Sequence, residues 1–202
     1  MTPLPPDGSL RRRSVLRALG VAASRLLLPG VWAAAVARPT RVLAAEAELI
    51  NFELTRDEDG VFLTYAVDFE LARGPEDALV RAVPLFFVAE SELYRDRWYW
   101  RDRRVAHTTR VWKIVYQPLT STYRVTTMGG LSQSFASRGE AILSISRGTR
   151  WKVAETGQID DGHHYLEFSY RLDVTLLPRP MQIGIGDQSD WQLSVKRTQR
   201  IN

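Results

Sequence analysis

Apolar and polar residues alternate over long stretches of this chain, and this period of two constrains its fold more than any other feature. Between residues 63 and 71 the apolar face consists of Leu63, Tyr65, Val67, Phe69 and Leu71. A second such face, between residues 164 and 174, consists of His164, Leu166, Phe168, Tyr170, Leu172 and Val174. Because successive side chains of a β-strand point to opposite faces, each stretch predicts a half-buried antiparallel strand.

Turn signals and further β-rich segments extend this pattern along the chain. Residues 58–60 (Glu-Asp-Gly) and 160–162 (Asp-Asp-Gly) precede the two alternating stretches, and Asp-Gly is typical of tight hairpin turns. The β-branched and aromatic residues that strands favour are concentrated in residues 83–100, 105–117, 121–127, 151–155 and 191–195.

Two short helices are predicted between the strands. Pro75 is placed as the first residue of a helix that continues to Arg81, because proline is well tolerated at that position. A second helix is predicted within residues 135–147, with Ser134 as its N-cap and Gly148 at its end. About eight strands and two minor helices predict a mainly β protein, an antiparallel β-sandwich that forms a single domain over residues 45–202.

The first 44 residues have the features of an export signal. A basic segment at residues 11–17 precedes a mildly apolar run. Val42 and Ala44 offer the side chains that signal peptidase accepts before its cleavage site, and residues 35–37 are a second candidate site. Arg12 and Arg13, with the apolar pair that follows them, resemble the twin-arginine export motif. The alternative is a general secretory signal whose basic region contains adjacent arginines.

Length limits what this leader can do in a membrane. Its longest charge-free run, residues 26–37, has 12 residues, whereas a spanning helix needs roughly 20. We therefore predict a protein that is periplasmic or otherwise exported, with no transmembrane span in the mature chain. The alternative is a protein held at the inner membrane by an uncleaved leader.

The formal net charge of +4 belongs to the leader and not to the body of the chain. Of the 27 basic and 23 acidic residues, seven and one lie in residues 1–44, which leaves 20 and 22 in residues 45–202. A nucleic-acid-binding domain is expected to carry a basic excess on its folded part. The sequence therefore predicts no nucleic-acid partner.

Residues 95–104, RDRWYWRDRR, surround three aromatic residues with arginines and aspartates. If the strand continues through this segment, Tyr94, Trp98 and Trp100 share the face that is expected in the core, and residues 101–104 form the following turn. The opposite face, rich in residue types that are enriched at protein interfaces, is a candidate partner surface. It consists of Arg95, Arg97, Tyr99 and Arg101.

Several short elements in a fixed order resemble a known family. They are Phe86–Glu90, Arg97–Trp100, Tyr116–Thr120, Tyr123–Val125 and Asp190-Trp191. In this order the chain resembles the uncharacterised proteobacterial domain of unknown function 4390 family over most of residues 46–200. The resemblance implies an exported protein without an established activity and offers no catalytic residues to carry over. Some members are encoded near nitrogen-type sensor kinases, which implies a link to signalling.

Few residues support cofactor or metal chemistry. The chain has no cysteine, so disulfides and thiolate ligands are excluded. His163 and His164 are adjacent and point to opposite faces of a strand, so they cannot readily bind one metal ion. We expect neither a metal nor a cofactor.

Carboxylates provide one enzymatic alternative. Glu90 and Glu92 are two residues apart, so they share a strand face, where paired carboxylates can act as general acid and base. An envelope-polymer hydrolase would use these residues together with Asp160, Asp161 or His163. The interpretation that we favour is a non-catalytic binding or accessory module of the cell envelope, whose glutamates pair with Arg95 or Arg97.

The export route can be tested by replacing Arg12 and Arg13 with lysines. We expect the protein to lose export if it uses the twin-arginine pathway, because that pathway reads the arginine pair. Fractionation and N-terminal sequencing of the native protein give the measurement. An intact residue 1–44 segment in the soluble cytoplasmic fraction would contradict export by either route.

Overall fold

The computed structural model describes residues 47–99, 101–183, 185 and 188–201. All of them belong to one compact unit that spans residues 41–202. The predicted leader, its cleavage site and Trp100 lie outside the described residues. Within the described part of the chain, no helix is both long and apolar enough to cross a membrane.

Nine strands and three α-helices are found in the described residues, and they confirm the mainly β class. The strands are β1 (Glu48–Asp57), β2 (Gly60–Asp68), β3 (Leu85–Arg95), β4 (Arg103–Gln117), β5 (Thr122–Thr127), β6 (Ser132–Phe135), β7 (Arg147–Glu155), β8 (His164–Leu172) and β9 (Ser194–Ile201). The helices are α1 (Arg73–Val80), α2 (Arg138–Ile145) and α3 (Arg179–Gln182). Single 3-10 turns lie at Thr156–Gln158, Val174–Leu176 and Ser189–Trp191.

The strands form two antiparallel sheets, in agreement with the predicted sandwich. The smaller sheet has the order β1-β2-β7, and the larger has the order β6-β5-β4-β3-β8-β9. The turn at residues 58–59 joins β1 to β2, and Gly60 there has a φ of 145°, a value that favours glycine. The first Asp-Gly signal therefore forms the predicted hairpin.

Aromatic rings fill the space between the two sheets. Phe168 of β8 contacts Phe52 of β1 and Tyr65 of β2, with ring centroids 5.6 and 4.7 Å apart. Farther along, Phe69 stacks on Phe87 at the start of β3, at 5.4 Å. The alternation of residues 63–69 and 164–172 is thus the alternation of core and outer positions.

Several boundaries differ from their predictions because local signals compete with sheet pairing. Helix α1 starts at Arg73, two residues before Pro75, and the N-cap of α2 is Ser137, which accepts a hydrogen bond from the Glu140 amide at 3.2 Å. Ser134 belongs instead to β6, and Gly148 lies inside β7. Residues 191–193 precede β9 and do not form a strand.

The second Asp-Gly signal does not close a hairpin. Residues 160–162 connect β7 of the small sheet to β8 of the large sheet, so the strands on either side pair with other partners. These residues carry the chain from the smaller sheet to the larger one. A two-residue turn signal reports local backbone geometry, whereas strand pairing depends on residues far away in the sequence.

The segment 95–104 is the clearest correction. β3 ends at Arg95 and β4 begins at Arg103, so residues 96–102 form the connecting loop and not the predicted extension of the strand. Trp98 is 93% exposed, which shows that its predicted core position is wrong. Tyr94 also lies on the outer face of the sheet, beside Glu92, to which its hydroxyl donates a hydrogen bond at 2.9 Å.

A pair of tryptophan substitutions tests this placement. Trp151→Ala should lower the free energy of unfolding by about 3–5 kcal/mol, because Trp151 is 4% exposed and its removal leaves a cavity. Trp98→Ala removes a side chain that water already surrounds, and we expect a change within roughly 1 kcal/mol. Thermal and urea denaturation of both variants give the comparison. Equal destabilisation by the two changes would place Trp98 in the core after all.

Candidate functional site

The outer face of the six-stranded sheet carries charged groups in register across four strands. Glu90 and Glu92 of β3 lie opposite Thr109 and His107 of β4, and on the other side opposite Ser169 and Glu167 of β8. β9 pairs with β8 and extends the same surface. Strand alternation thus places residues of β3, β4, β8 and β9 on one outer face. We call this surface the charged face.

Glu90 lies at the centre of the charged face and binds two partners. It accepts hydrogen bonds from Arg171 and His107, each at 2.8 Å. The bond from Arg171, followed by that from His107, lowers the pKa of the Glu90 carboxyl below its ordinary value. Glu90 is therefore an anion that is held by fixed donors. The predicted pairing with Arg95 or Arg97 is wrong, because those residues lie beyond the end of the face.

Glu92 has a second set of partners and a like-charged neighbour. Its carboxylate accepts a hydrogen bond from the Tyr94 hydroxyl at 2.9 Å and forms a salt bridge with Arg104. Glu167 lies directly opposite Glu92 on β8, and like charges opposite each other are unfavourable. Arg104 compensates the charge of Glu92 through their salt bridge.

The atoms of Glu90, Glu92 and His107 that could bind a metal lie within 4.8 Å of one another. Divalent cations accept such mixed oxygen and nitrogen ligands. Both carboxylates, however, already bind arginine guanidinium groups, Arg171 and Arg104. A metal ion would have to displace these cations, so the present arrangement is that of an ion-pair network.

A depression of about 470 Å³ lies on the charged face between β3, β8 and β9. Its lining includes the acids Glu90, Glu92 and Glu167 and the bases Arg171 and Lys196. Among the described residues, neither Glu167 nor Lys196 forms an ion pair. Arg197 also lines the depression, so three acidic and three basic residues meet there.

Only two of the proposed acid–base residues, Glu90 and Glu92, are gathered in one place. Glu90 and Glu92 lie in the depression, whereas Asp160 pairs with Arg95 at 2.6 Å, at the end of β3. Glu90 and Arg95 are five residues apart, which corresponds to roughly 16 Å along a strand. Asp161 and His163 are exposed near that same end.

The loop between β3 and β4 is held firmly at its base. Asp102 accepts a hydrogen bond from the Arg97 amide at 3.1 Å and another from the Tyr165 hydroxyl at 2.7 Å. The Asp96 amide donates to the His163 carbonyl at 2.8 Å. Burial, followed by the bond to Asp102, raises the pKa of the Tyr165 hydroxyl, so it remains a donor at neutral pH. We call residues 96–102 the aromatic loop.

The aromatic loop presents its two described aromatic side chains to solvent. Trp98 is 93% exposed and Tyr99 is 70% exposed, and their rings meet edge to face at 5.1 Å. Large aromatic side chains are usually at least half buried in a free monomer. A well-anchored loop that exposes both of them is typical of a binding surface.

The predicted partner surface is only partly free. Tyr99 and Arg101 are exposed, as expected for that surface. Arg97 is half-buried, and Arg95 is tied to Asp160 beneath the loop. Trp98, whose predicted position is in the core, is 93% exposed. Alternation could not reveal it because the strand ends three residues earlier.

The sequence alone also did not predict the partners of Glu90, which are Arg171 and His107. Glu90 and Arg171 are 81 residues apart and Glu90 and His107 are 17 apart, so no spacing in the sequence relates them. The signal that could have found them is the pairing of β3 with both β4 and β8.

Fold and site together define a β-sandwich protein with a network of ion pairs on one sheet face and an exposed aromatic loop at one end. The profile of a family described as Domain of unknown function (DUF4390) matches residues 44–201, so the chain belongs to this family. The predicted resemblance is therefore confirmed. No curated protein and no solved structure matches the chain.

The role of Asp102 can be tested with Asp102→Ala. We expect faster amide hydrogen exchange in residues 96–102, because both hydrogen bonds that Asp102 accepts at the base of the loop are lost. Global stability should change by no more than roughly 1 kcal/mol, since the carboxylate is exposed. Asp161→Ala is the matched control, because Asp161 is exposed in the neighbouring turn and holds no part of the loop. Unchanged exchange in Asp102→Ala would contradict the anchoring role.

Proposed function

We propose that this protein is an exported, non-catalytic binding or accessory module of the bacterial cell envelope, and that it contacts its partner through the aromatic loop. The observation that carries the proposal is the exposure of Trp98 and Tyr99 on a loop anchored by Asp102. Pre-organised aromatic side chains bind with a small loss of conformational entropy, which favours them in protein interfaces.

The envelope location is supported by the leader. The basic residues 11–17 and the predicted cleavage site at residues 42–44 have the order of an export signal. The periplasm is the proposed compartment, and retention at the inner membrane by an uncleaved leader is the alternative. The partner is proposed to be an envelope or membrane protein, and the resemblance to proteins encoded near sensor kinases favours one that takes part in signalling.

The non-catalytic role is supported by the state of the carboxylates. A general acid must hold its proton near neutral pH, which requires a raised pKa. The pKa of Glu90 is lowered by Arg171 and His107, and Glu92 is paired with Arg104. The competing proposal, a hydrolase of an envelope polymer, would need one of these acids to be freed from its arginine.

Affinity capture from an envelope extract tests the proposal when it compares three baits. Wild-type protein should retain a reproducible partner, and the Trp98→Ala/Tyr99→Ala variant should lose at least nine-tenths of it. The control is Leu119→Ala/Leu131→Ala, which removes exposed side chains from other turns and should bind normally. Thermal denaturation confirms that all three baits are folded.

Two results would contradict the proposal. Equal capture by the loop variant and the wild type would remove the aromatic loop from the interface. Release of fragments from a purified envelope polymer by the wild type, and its loss in Glu90→Gln, would favour the hydrolase.

A further inference from the structure

Among the described residues, the last strand leaves one edge of the larger sheet without a neighbouring strand. β9 ends the six-strand order and pairs only with β8, from Arg171 opposite Ser194 to His164 opposite Ile201. Within the described residues, no other segment forms a backbone hydrogen bond with residues 194–201. Alternate N–H and C=O groups along this eight-residue strand are therefore available to a further strand.

The open edge is basic, and its charges are unpaired. β9 contains Lys196, Arg197 and Arg200 and no acidic residue. All three are exposed, and none forms an ion pair within the described part of the chain. The arginines of neighbouring strands behave differently, since Arg104 pairs with Glu92 and Arg171 pairs with Glu90.

Side-chain direction places two of these cations on the charged face. Lys196 lies opposite Ser169 and Arg200 lies opposite Tyr165, in the same rows as Glu90 and Tyr94 of β3. An added strand would place every second side chain beside Lys196 and Arg200, at about 5 Å between Cβ atoms. Acidic residues at alternate positions of that strand would meet both cations.

We propose that the β9 edge binds an extended acidic segment of a partner protein, which adds to the larger sheet as a seventh strand. Main-chain hydrogen bonds would supply part of the affinity in this mode, and alternate side chains would supply specificity. The proposed surface is the edge of β9, which approaches the base of the aromatic loop at Arg200, near Asp96. Binding at this edge does not depend on the function proposed for that loop.

A second copy of β9 is disfavoured as the occupant of this edge, because two such edges would bring six cations and no acid together. Edge cations can also serve only to prevent aggregation. In that case their removal would cause self-association and would leave peptide binding unaffected or absent.

Three blocked octapeptides test the proposal on the protein lacking residues 1–44 and on the full chain. The first alternates Glu and Thr, the second alternates Gln and Thr, and the third is the Glu-Thr peptide with alternate backbone nitrogens methylated. We expect the first peptide to bind at low ionic strength and the other two to bind at least tenfold more weakly. The amides of β9 should gain hydrogen-exchange protection only with the first peptide.

Matched protein variants complete the experiment. Lys196→Gln/Arg200→Gln should weaken binding of the Glu-Thr peptide at least tenfold. Lys113→Gln/Arg124→Gln removes the same two charge types from β4 and β5 of the same sheet and should bind as the wild type does.

The proposal is overturned by any of four outcomes. These are no binding of the Glu-Thr peptide, equal binding of the Gln-Thr or methylated peptide, equal loss in the control variant, and binding without protection of β9. Sedimentation that shows wild-type self-association through β9 would also overturn it, because the edge would then already be occupied by a second copy. The capture experiment on the aromatic loop gives an independent result in every case.

Discussion

The packing of Tyr65 between the two sheets is the contact on which the rest of the fold depends. Tyr65 faces Gly148 across the β2–β7 pair, and a Cβ atom on that glycine would lie 2.3 Å from the tyrosine ring. The ring occupies this space and reaches Phe168 of the larger sheet at 4.7 Å and Trp151 of its own sheet at 6.1 Å. A side chain at residue 148 would move the ring, and with it the spacing of the two layers.

The outer surface is organised by paired charges that run toward one end of the larger sheet. Beyond the ion pairs of Glu90 and Glu92, the Tyr94 hydroxyl donates a hydrogen bond to Glu92. The Tyr94 ring stacks on Tyr165, with ring centroids 5.3 Å apart. Tyr165 in turn holds Asp102 at the base of the aromatic loop. The same sheet therefore supplies a closely packed inner face and an outer network that holds the base of the aromatic loop.

The alternation of apolar and polar residues was sufficient to predict the β-sandwich, but it did not predict which residues meet on its surface. It predicted the core positions of β2 and β8 because one side of each strand is buried. It failed at Trp98, since hydrophobic character alone cannot distinguish a core tryptophan from one on a loop. It also failed for the partners of Glu90, because Arg171 and His107 reach that residue through strand pairing and no local rule encodes it.

The start of β1 and the aromatic loop lie at opposite ends of the sandwich. β1 begins beside the end of β2, whereas the β1–β2 turn lies at the end that also holds residues 156–163 and the aromatic loop. A ten-residue strand is about 33 Å long. Attachment of the protein to a surface through the chain ahead of residue 47 would therefore leave the aromatic loop at the end that faces away from the surface. For surface-based binding assays, this makes the amino-terminal side the correct point of immobilisation and the carboxyl-terminal end of β9, beside the loop, the wrong one.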